Sequence, residues 1–325
     1  MSNTNKFKEQ PWHSKAVELS EMGFSGRQIA KALGRGKSQI NDYLKHLREK
    51  ESVEYSKGKK LNILYWDLET SLMEAWVFGI WNVNVGGNRI KKQSHLLSNS
   101  WAFNDEKPQG IRLTPEQVEK GDDLMVVIDT IKAIEKADLI ITFNGKKFDE
   151  KVLNTRALYH ELPSIRYPKH IDLMQEIKKK FRFPSNSMQN VSMFLGLEGK
   201  LATSGSRLWE RCAEWYYPEE CDKALEEMLV YGLRDIESTR DLHKRLQGWF
   251  KSPVNIGMMT KEINGVNTKD NHNLLCPHCA SEDVDKIGSK AYTSVSSFDI
   301  YRCGNSVCRG LSRSNAKGTK LVNYI

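Results

Sequence analysis

Residues 61–70 are LNILYWDLET, a mostly apolar run that closes on two carboxylates, Asp67 and Glu69. The run has the length and character of a short β-strand. Residues two apart on a strand point to the same face of the sheet, so the two carboxylates lie side by side. Burying such a pair is costly unless a cation lies between them. The stretch therefore predicts either half of a hard-metal site or a solvated strand end.

The surrounding residues 61–248 predict an α/β domain. Residues 74–85 and 94–103 are rich in aromatic or apolar residues, and we expect them to be strands that form an antiparallel meander with the first strand. ADLIITF at 137–143 is nearly continuously apolar, which is typical of a strand buried on both faces. Apolar spacing predicts helices at the remaining positions: residues 122–136, 149–160, 170–180 (after a strand end), 187–196 and 219–246.

Three further polar residues stand where such a sheet places its chemistry. Asp149 follows the buried strand and opens a helix, at the carboxyl end of a central strand. Tyr231 and Asp235 lie four residues apart on the long helix and so share one face.

In chain order, Asp67-x-Glu69, Asn144-x-x-x-Phe148-Asp149 and Tyr231-x-x-x-Asp235 resemble the three Exo motifs of the DEDD 3′–5′ exonucleases. The tyrosine resembles the DEDDy branch, which includes the proofreading domains of family B DNA polymerases. The stretch NSMQNVSMFLGLEGK at 186–200 is also similar to that family. The resemblance covers most of residues 61–245. It implies an RNase H-like fold with a mixed five-stranded sheet flanked by helices.

The resemblance also implies roles for the residues. It gathers four carboxylates at one place, and oxygen ligands of this kind imply Mg²⁺ or Mn²⁺. Asp67 would bridge two metal ions, Glu69 and Asp235 would hold the ion that carries the attacking water, and Asp149 would serve the second ion. Tyr231 would orient or deprotonate that water, and orientation is favoured because a phenol is a poor base at neutral pH. The pocket for the 3′ end would be shaped by Asn144 and Phe148. His170 and Asp172 also resemble a family stretch, but we expect them to be a buried hydrogen-bonding pair.

Residues 12–50 predict three short helices that form a small all-α domain. GFSGRQIAKALGRGKSQINDYL at 23–44 resembles the helix-turn-helix of resolvases and bacterial repressors, whose second helix enters the major groove of DNA. The side chains that would then face DNA are Lys37, Ser38, Gln39, Asn41 and Lys45. The alternative is a three-helix domain that binds protein. Residues 51–60 are polar and predict a linker.

The C-terminal residues carry four cysteines at metal-ligand spacing, C-x2-C and C-x4-C, around a predicted hairpin at 291–302: Cys276, Cys279, Cys303 and Cys308. The pattern over residues 272–325 resembles a zinc ribbon, although the x4 spacing departs from the commoner x2. Four thiolates predict one closed, structural Zn²⁺ site. Basic residues nearby favour contact with nucleic acid, with protein docking as the alternative. Residues 251–273 predict a linker.

The net charge of +8 is unevenly distributed. Residues 1–60 hold 13 basic and 7 acidic residues and residues 271–325 hold 7 and 4, whereas residues 61–270 hold 29 and 30. Basic flanks suit a polyanionic partner. No apolar run approaches the roughly 20 residues of a membrane span. The few, metal-spaced cysteines and the absence of a leader-like segment predict a cytoplasmic protein, in host cytoplasm if it is phage-encoded.

The sequence thus predicts a two-metal 3′–5′ exonuclease acting on nucleic acid, with DNA favoured, between a helix-turn-helix and a zinc ribbon. A polymerase or other replication protein is a candidate partner, and the compact mixture of modules suggests a phage or mobile element by analogy. One alternative is an RNase H-fold endonuclease of the transposase or junction-resolving type, against which the first and third motifs argue. The other is a catalytically silent DNA-binding regulator, against which the four carboxylates argue.

Overall fold

The structure is a computed structural model that describes residues 10–21, 25–45, 60–81, 83–201, 205–251, 254–265, 274–316 and 318–324. The chain divides into two compact units, Met1–Lys60 and Leu61–Ile325. Each unit has its own hydrophobic core.

The described residues of the first unit form three helices, as predicted: α1 (His13–Glu21), α2 (Gly26–Leu33) and α3, described over residues 37–45. Ser25 precedes α2, and its backbone N–H donates to the Gln28 side chain at 2.9 Å. Gly34 ends α2 in the left-handed region, at φ 60°, which a glycine adopts without strain. Ile29 and Ile40 are fully buried between the helices. Residues 46–50 and 51–59, the rest of the predicted third helix and most of the predicted linker, lie outside the described residues.

The second unit is built on a sheet whose strands are interrupted by a short two-stranded pair. The strands are β1 (Ile63–Thr70), β2 (Glu74–Ala75), β3 (Ile90–Lys92), β4 (Leu96–Phe103), β5 (Gln109–Arg112), β6 (Leu139–Thr142) and β7 (Lys169–Asp172). The main sheet has the order β5-β4-β1-β6-β7, and β2 pairs only with β3. β1 is antiparallel to β4 and parallel to β6, so the mixed five-stranded sheet is confirmed.

Helices cover both faces of this sheet. They are α4 (Pro115–Lys120), α5 (Leu124–Glu135), α6 (Asp149–Tyr159), α7 (Leu173–Lys180), α8 (Met188–Phe194), α9 (Ser206–Ala213) and α10 (Pro218–Leu246). Alternation along β1 sends Leu64 and Trp66 into one core and Tyr65 into the other. The two cores therefore fix which face of β1 presents Asp67.

A buried ion pair holds the C-terminal end of α6 in place. Asp123 is fully buried and accepts two hydrogen bonds from Arg156 of α6, both at 2.7 Å. Its other carboxylate contacts are the backbone N–H of Leu96 at 2.8 Å and His160 Nε2 at 2.5 Å. These bonds tie α6 to the beginning of β4, and through α6 they position Asp149.

The strand predicted at residues 74–85 is wrong. Only Glu74–Ala75 forms a strand, and the aromatic residues that follow are largely exposed, with Phe78 at 93% and Trp81 at 85%. The described residues of this segment do not join the main sheet, in which β5 takes the place beside β4. β5 and the helices α4 and α9 were not predicted, since QGIR at 109–112 has no apolar alternation.

The C-terminal residues add a second sheet of the order β11-β10-β9-β8, made of β8 (Val284–Tyr292), β9 (Ser297–Cys303), β10 (Leu311–Ser314) and β11 (Leu321–Asn323). The predicted hairpin corresponds to β8 and β9. The linker predicted at 251–273 is wrong where it is described, because it contains α11 (Ile256–Ile263). The Ile256 N–H donates to the carbonyl of Pro277 at 2.8 Å, which joins α11 to the cysteine-bearing module.

Candidate active site

Three of the predicted carboxylates converge at the carboxyl end of β1. Asp67 and Glu69 come from β1 and Asp235 comes from α10, and carboxylate oxygens of the three lie within 4.8 Å of one another. Asp235 is 1% exposed, whereas Asp67 and Glu69 remain partly accessible. The pairing of β1 with β4 becomes irregular directly after Glu69. Irregularities of this kind, such as β-bulges, are common beside active sites. The cluster thus opens to solvent on the side of β1.

Asp149 lies beside this cluster but is held by the backbone. It is the first residue of α6 and is 3% exposed. Its Oδ1 accepts a hydrogen bond from the N–H of Leu68, at 2.9 Å. Because Leu68 separates Asp67 from Glu69, this bond fixes the fourth carboxylate next to the other three.

The carboxylates raise one another's pKa values. Burial and then the neighbouring carboxylates raise the pKa of Asp67 well above its usual range. Burial and the charge of Asp235 raise the pKa of Glu69 to about 8. Burial raises the pKa of Asp149 to about 6, although the hydrogen bond from Leu68 opposes the shift. Four acids in such surroundings favour a cation among them.

Lys200 is the site residue that sequence reasoning missed. Its Nζ donates to Asp235 Oδ2 at 2.5 Å and to the Tyr231 hydroxyl at 2.7 Å. Burial alone would lower the pKa of Lys200, but the carboxylate of Asp235 raises it instead. The only signal in the sequence was its place at the end of the family-like stretch 186–200, where nothing indicated contact with α10.

The loop that carries Lys200 is anchored to α10 by Arg234. The Arg234 guanidinium donates to Glu198 at 2.6 Å and to the carbonyl of Gly199 at 3.2 Å. Arg234 therefore holds the loop, and Tyr231 and Asp235 on the same helix accept hydrogen bonds from Lys200. Burial and then Asp235 raise the pKa of Tyr231 to about 12, so its hydroxyl is protonated at neutral pH.

The turn between β6 and α6 places the other two predicted pocket residues. Asn144 adopts a positive φ of 71°, and its N–H donates to Asp172 Oδ1 at 3.0 Å. The side chain of Phe148 is 44% exposed, directly before Asp149. His170 is buried, but its ring nitrogens lie 2.9 Å from Thr142 Oγ1 and 3.2 Å from a Glu150 oxygen. The prediction that His170 and Asp172 form a hydrogen-bonded pair is therefore wrong for the described residues, since each of them bonds to other partners.

The donor set of the cluster fits a hard divalent ion. Its atoms are carboxylate oxygens, the ligands that Mg²⁺ and Mn²⁺ prefer. Asp235 Oδ1 is buried and has no hydrogen-bond partner among the described residues, as expected of an oxygen reserved for a metal.

A second cluster joins the four predicted cysteines. The Sγ atoms of Cys276 and Cys308 are 3.8 Å apart and those of Cys279 and Cys303 are 3.6 Å apart. A tetrahedral ion with zinc–sulfur bonds of about 2.3 Å needs sulfurs about 3.8 Å apart. None of the cysteines forms a disulfide in the described residues. The four thiols are thus spaced as ligands of one Zn²⁺ would be.

The residues predicted to face DNA lie in the first unit, on α3. All of them are exposed: Lys37, Ser38, Gln39, Asn41 and Lys45. Gly26 at the start of α2 makes room for Asn41, whose Oδ1 would lie 2.1 Å from a Cβ at position 26. The glycine therefore permits α2 and α3 to approach closely.

Comparison with known proteins agrees with the fold. The family model of the RNase H superfamily matches residues 64–247, more than half of the chain. The chain belongs to the RNase H superfamily. The matched residues include all four carboxylates, Tyr231 and Lys200.

A solved structure of a family B DNA polymerase from the hyperthermophilic archaeon Pyrobaculum calidifontis is similar, with a TM-score of 0.43 and 16% sequence identity. The similarity covers 65% of this chain and 28% of that chain, so the chain spans little more than a quarter of the polymerase's length. No curated protein matches the chain. Among the described residues, no helix is both long and apolar enough to cross a membrane.

Proposed function

We propose that the protein is a 3′–5′ exonuclease of the DEDDy type that hydrolyses phosphodiester bonds with two divalent metal ions, DNA being the favoured substrate. The observation that carries the proposal is the convergence of Asp67, Glu69 and Asp235 within 4.8 Å, with Asp149 and Tyr231 beside them. These are the residues of the three sequence motifs, brought together from β1, α6 and α10.

The chain's own residues hold and orient the reactants. Mg²⁺ or Mn²⁺ held by the carboxylates would acidify a water molecule and stabilise the attacking and leaving oxygens. Asp67 would be a ligand of both ions, and Glu69, Asp149 and Asp235 would supply the other ligands. The protonated Tyr231 hydroxyl orients the attacking water by hydrogen bonding and does not accept its proton, because burial and Asp235 keep the pKa of that hydroxyl at about 12. Lys200 donates hydrogen bonds to both Tyr231 and Asp235 and so fixes the position of one relative to the other.

The flanking modules would hold the substrate. We assign residues 12–50 to a DNA-binding helix-turn-helix, residues 61–248 to the exonuclease and residues 272–325 to a zinc ribbon with one structural Zn²⁺. The exposed Lys37, Gln39 and Asn41 on α3 support the first assignment, since amide side chains suit adenine edges and lysine suits phosphate. The spacing of the four thiols supports the third.

The test uses single-stranded DNA and RNA labelled at the 5′ end, incubated with Mg²⁺ or Mn²⁺. We expect a ladder that shortens from the 3′ end for the wild-type protein and for the control Asp285→Asn, which changes an exposed aspartate outside the site. Asp67→Asn should lower the rate by about 10³-fold or more, since a shared metal ligand is lost. A ladder of equal intensity from Asp67→Asn would refute the assignment. Cleavage of a circular strand would instead identify an endonuclease.

A further inference from the structure

A groove of about 860 Å³ lies between the exonuclease fold and the cysteine-bearing module, both within Leu61–Ile325. Its walls come from the segment that joins α7 to α8, from the end of α10 and from the loop around Cys308. None of the four catalytic carboxylates lines it. The groove is therefore a feature separate from the metal cluster.

Four aromatic rings form a continuous row along this groove. Trp249 contacts Phe181, Phe181 contacts Phe183, and Phe183 contacts Phe194, with ring centroids 6.0, 5.5 and 5.2 Å apart. The two ends of the row are open to solvent, since Trp249 is 59% and Phe194 67% exposed. Rings exposed in this way offer faces on which planar groups stack.

Basic side chains surround the row. The groove is lined by five of them and by no acidic residue: Lys180, Arg245, Lys251, Arg302 and Arg309. None of the five forms an ion pair with a described residue. Lysine and arginine left unpaired around one concave surface attract a polyanion. Exposed aromatic faces combined with such a charge are the pattern that binds single-stranded nucleic acid, whose bases are free to stack.

The row and the metal cluster are joined by short stretches of chain. Phe194 ends α8, and six residues later Lys200 contacts Tyr231 and Asp235. On the other wall, Arg245 follows Asp235 by ten residues of α10, about 15 Å along the helix axis. A strand whose 3′ end lies at Asp235 would thus reach the groove within a few nucleotides.

The outer wall of the groove depends on the thiol cluster. A Cβ at Gly248, after α10, would lie 2.0 Å from the carbonyl oxygen of Cys308. Likewise, a Cβ at Gly310 would lie 3.0 Å from the Cα of Gly248. The backbone of the cysteine loop therefore seats directly on the end of α10, and the loop's position is set by its thiols.

We propose that this groove binds the single-stranded part of the nucleic acid that precedes the 3′ end at the metal cluster. The inference rests on the proposed exonuclease function and names the part of the substrate that the groove takes. Bases stack on the row from Trp249 to Phe194, and phosphates contact the arginines of α10 and of the cysteine module.

Stacking is tested by fluorescence anisotropy with a labelled single strand of about 25 nucleotides. The full-length chain carries Asp67→Asn in every sample, so that the strand is not degraded. Trp249→Ala should weaken binding about tenfold, and Trp249→Phe should restore most of the affinity because a ring face returns. Tyr292→Ala is the matched control, since Tyr292 is 75% exposed in the same module and does not line the groove. Equal affinities for Trp249→Ala and Tyr292→Ala would overturn the proposal.

The charges are tested by the salt dependence of the same binding. Removing one basic side chain that binds a phosphate of a single strand reduces the slope of log affinity against log salt by about 0.7, so Arg245→Ala with Arg309→Ala should reduce it by about 1.4. Lys132→Ala with Arg166→Ala removes the same charge from exposed positions outside the groove and should leave the slope unchanged. A slope that falls equally in both double variants would mean a general charge effect and no binding of phosphates in the groove.

Hydrolysis separates this proposal from the function on which it rests. With Asp67 restored, the groove variants should lose more activity on a strand of about 25 nucleotides than on one of about 4, which is too short to fill the groove. If the wild type hydrolyses neither strand while the groove variants still weaken binding, the exonuclease assignment fails and the groove stands. If hydrolysis occurs and the loss is the same at both lengths, or if the wild type binds no single strand, the groove proposal fails.

Discussion

The carboxylate cluster and the thiol cluster are both candidate metal centres, yet they are built in opposite ways. The thiols come from one short stretch of chain, lie 3.6–3.8 Å apart in the measured pairs and are mostly buried. The carboxylates come from β1, α6 and α10, and two of the acids remain partly exposed beside a lysine. A closed set of thiols suits an ion that stabilises the fold. An open set of mutually repelling acids suits ions that also meet a substrate.

The largest expected difference concerns folding. Cys303→Ser should abolish zinc binding, with the loss of about 10 kcal/mol of apparent binding free energy that structural zinc contributes in small modules. Zinc content by mass spectrometry should fall from about one ion per chain to nearly none, and limited proteolysis should cut within residues 274–316.

Cys212→Ala is the matched control, since Cys212 is buried in the core of the RNase H-like domain and not in the thiol cluster. It should keep its zinc. Full zinc content in Cys303→Ser would show that the four sulfurs are not the ligands.

A smaller effect is expected from replacing Lys200, which contacts the carboxylate cluster. Lys200→Ala should lower the rate of hydrolysis about 100-fold, because Asp235 and the Tyr231 hydroxyl lose the donor that positions them. Lys200→Arg should recover part of the rate at saturating metal. The check is single-turnover hydrolysis across a metal titration, with Lys132→Ala as the control for an exposed lysine. An unchanged rate in Lys200→Ala would remove the residue from the site.

The two clusters should also differ in the sign of a stability change. Asp67→Asn removes one of several acids that repel one another, so in Mg²⁺-free buffer at pH 8 it should stabilise the protein by about 1 kcal/mol. Denaturant unfolding measures the change, and Asp285→Asn should leave stability unaltered. Added Mg²⁺ should stabilise the wild type more than the variant, since the ion binds only the folded site. Destabilisation by Asp67→Asn would mean that the acids are not in conflict.

The smallest effect on stability at neutral pH is expected from a buried histidine outside both metal clusters. Neither metal should influence it. His243 of α10 is buried and lies 2.8 Å from the Tyr65 hydroxyl, and burial lowers its pKa to about 3. In the unfolded chain His243 binds a proton near pH 6.5, whereas in the folded chain it stays neutral down to about pH 3. The contribution of His243 to stability is therefore fully present above pH 6.5 and is lost as the pH falls towards 3. The slope is at most about 1.4 kcal/mol per pH unit.

Replacing this histidine isolates its share of the acid sensitivity. His243→Asn keeps a polar atom near the position of Nδ1 and should flatten the dependence of the unfolding free energy on pH between 6.5 and 4.5. Unfolding of both proteins is compared with and without Mg²⁺. An identical pH profile for the variant and the wild type would show that His243 does not set the slope.

Local pattern was enough to predict most of the elements that carry the site. The apolar run of β1, the continuous β6 and the four-residue spacing of Tyr231 and Asp235 on α10 each report on one element, and each element formed where expected. The roles of the individual residues remain predictions until activity is measured. The aromatic segment 74–85 failed because its side chains have strand character but its described residues do not join the main sheet.

The sequence by itself determined the strands and helices that carry the acidic residues, the order of the acidic motifs and the spacing of the four cysteines. These depend on periodicity and short-range spacing, which a single chain displays directly. Only the tertiary structure decided that Lys200 meets Asp235, that Asp149 is held by the backbone of Leu68, and that the cysteine loop sits on the end of α10 to close an aromatic groove. Such contacts join residues far apart in the chain, and they arise from how packed layers fit together, which no local pattern records.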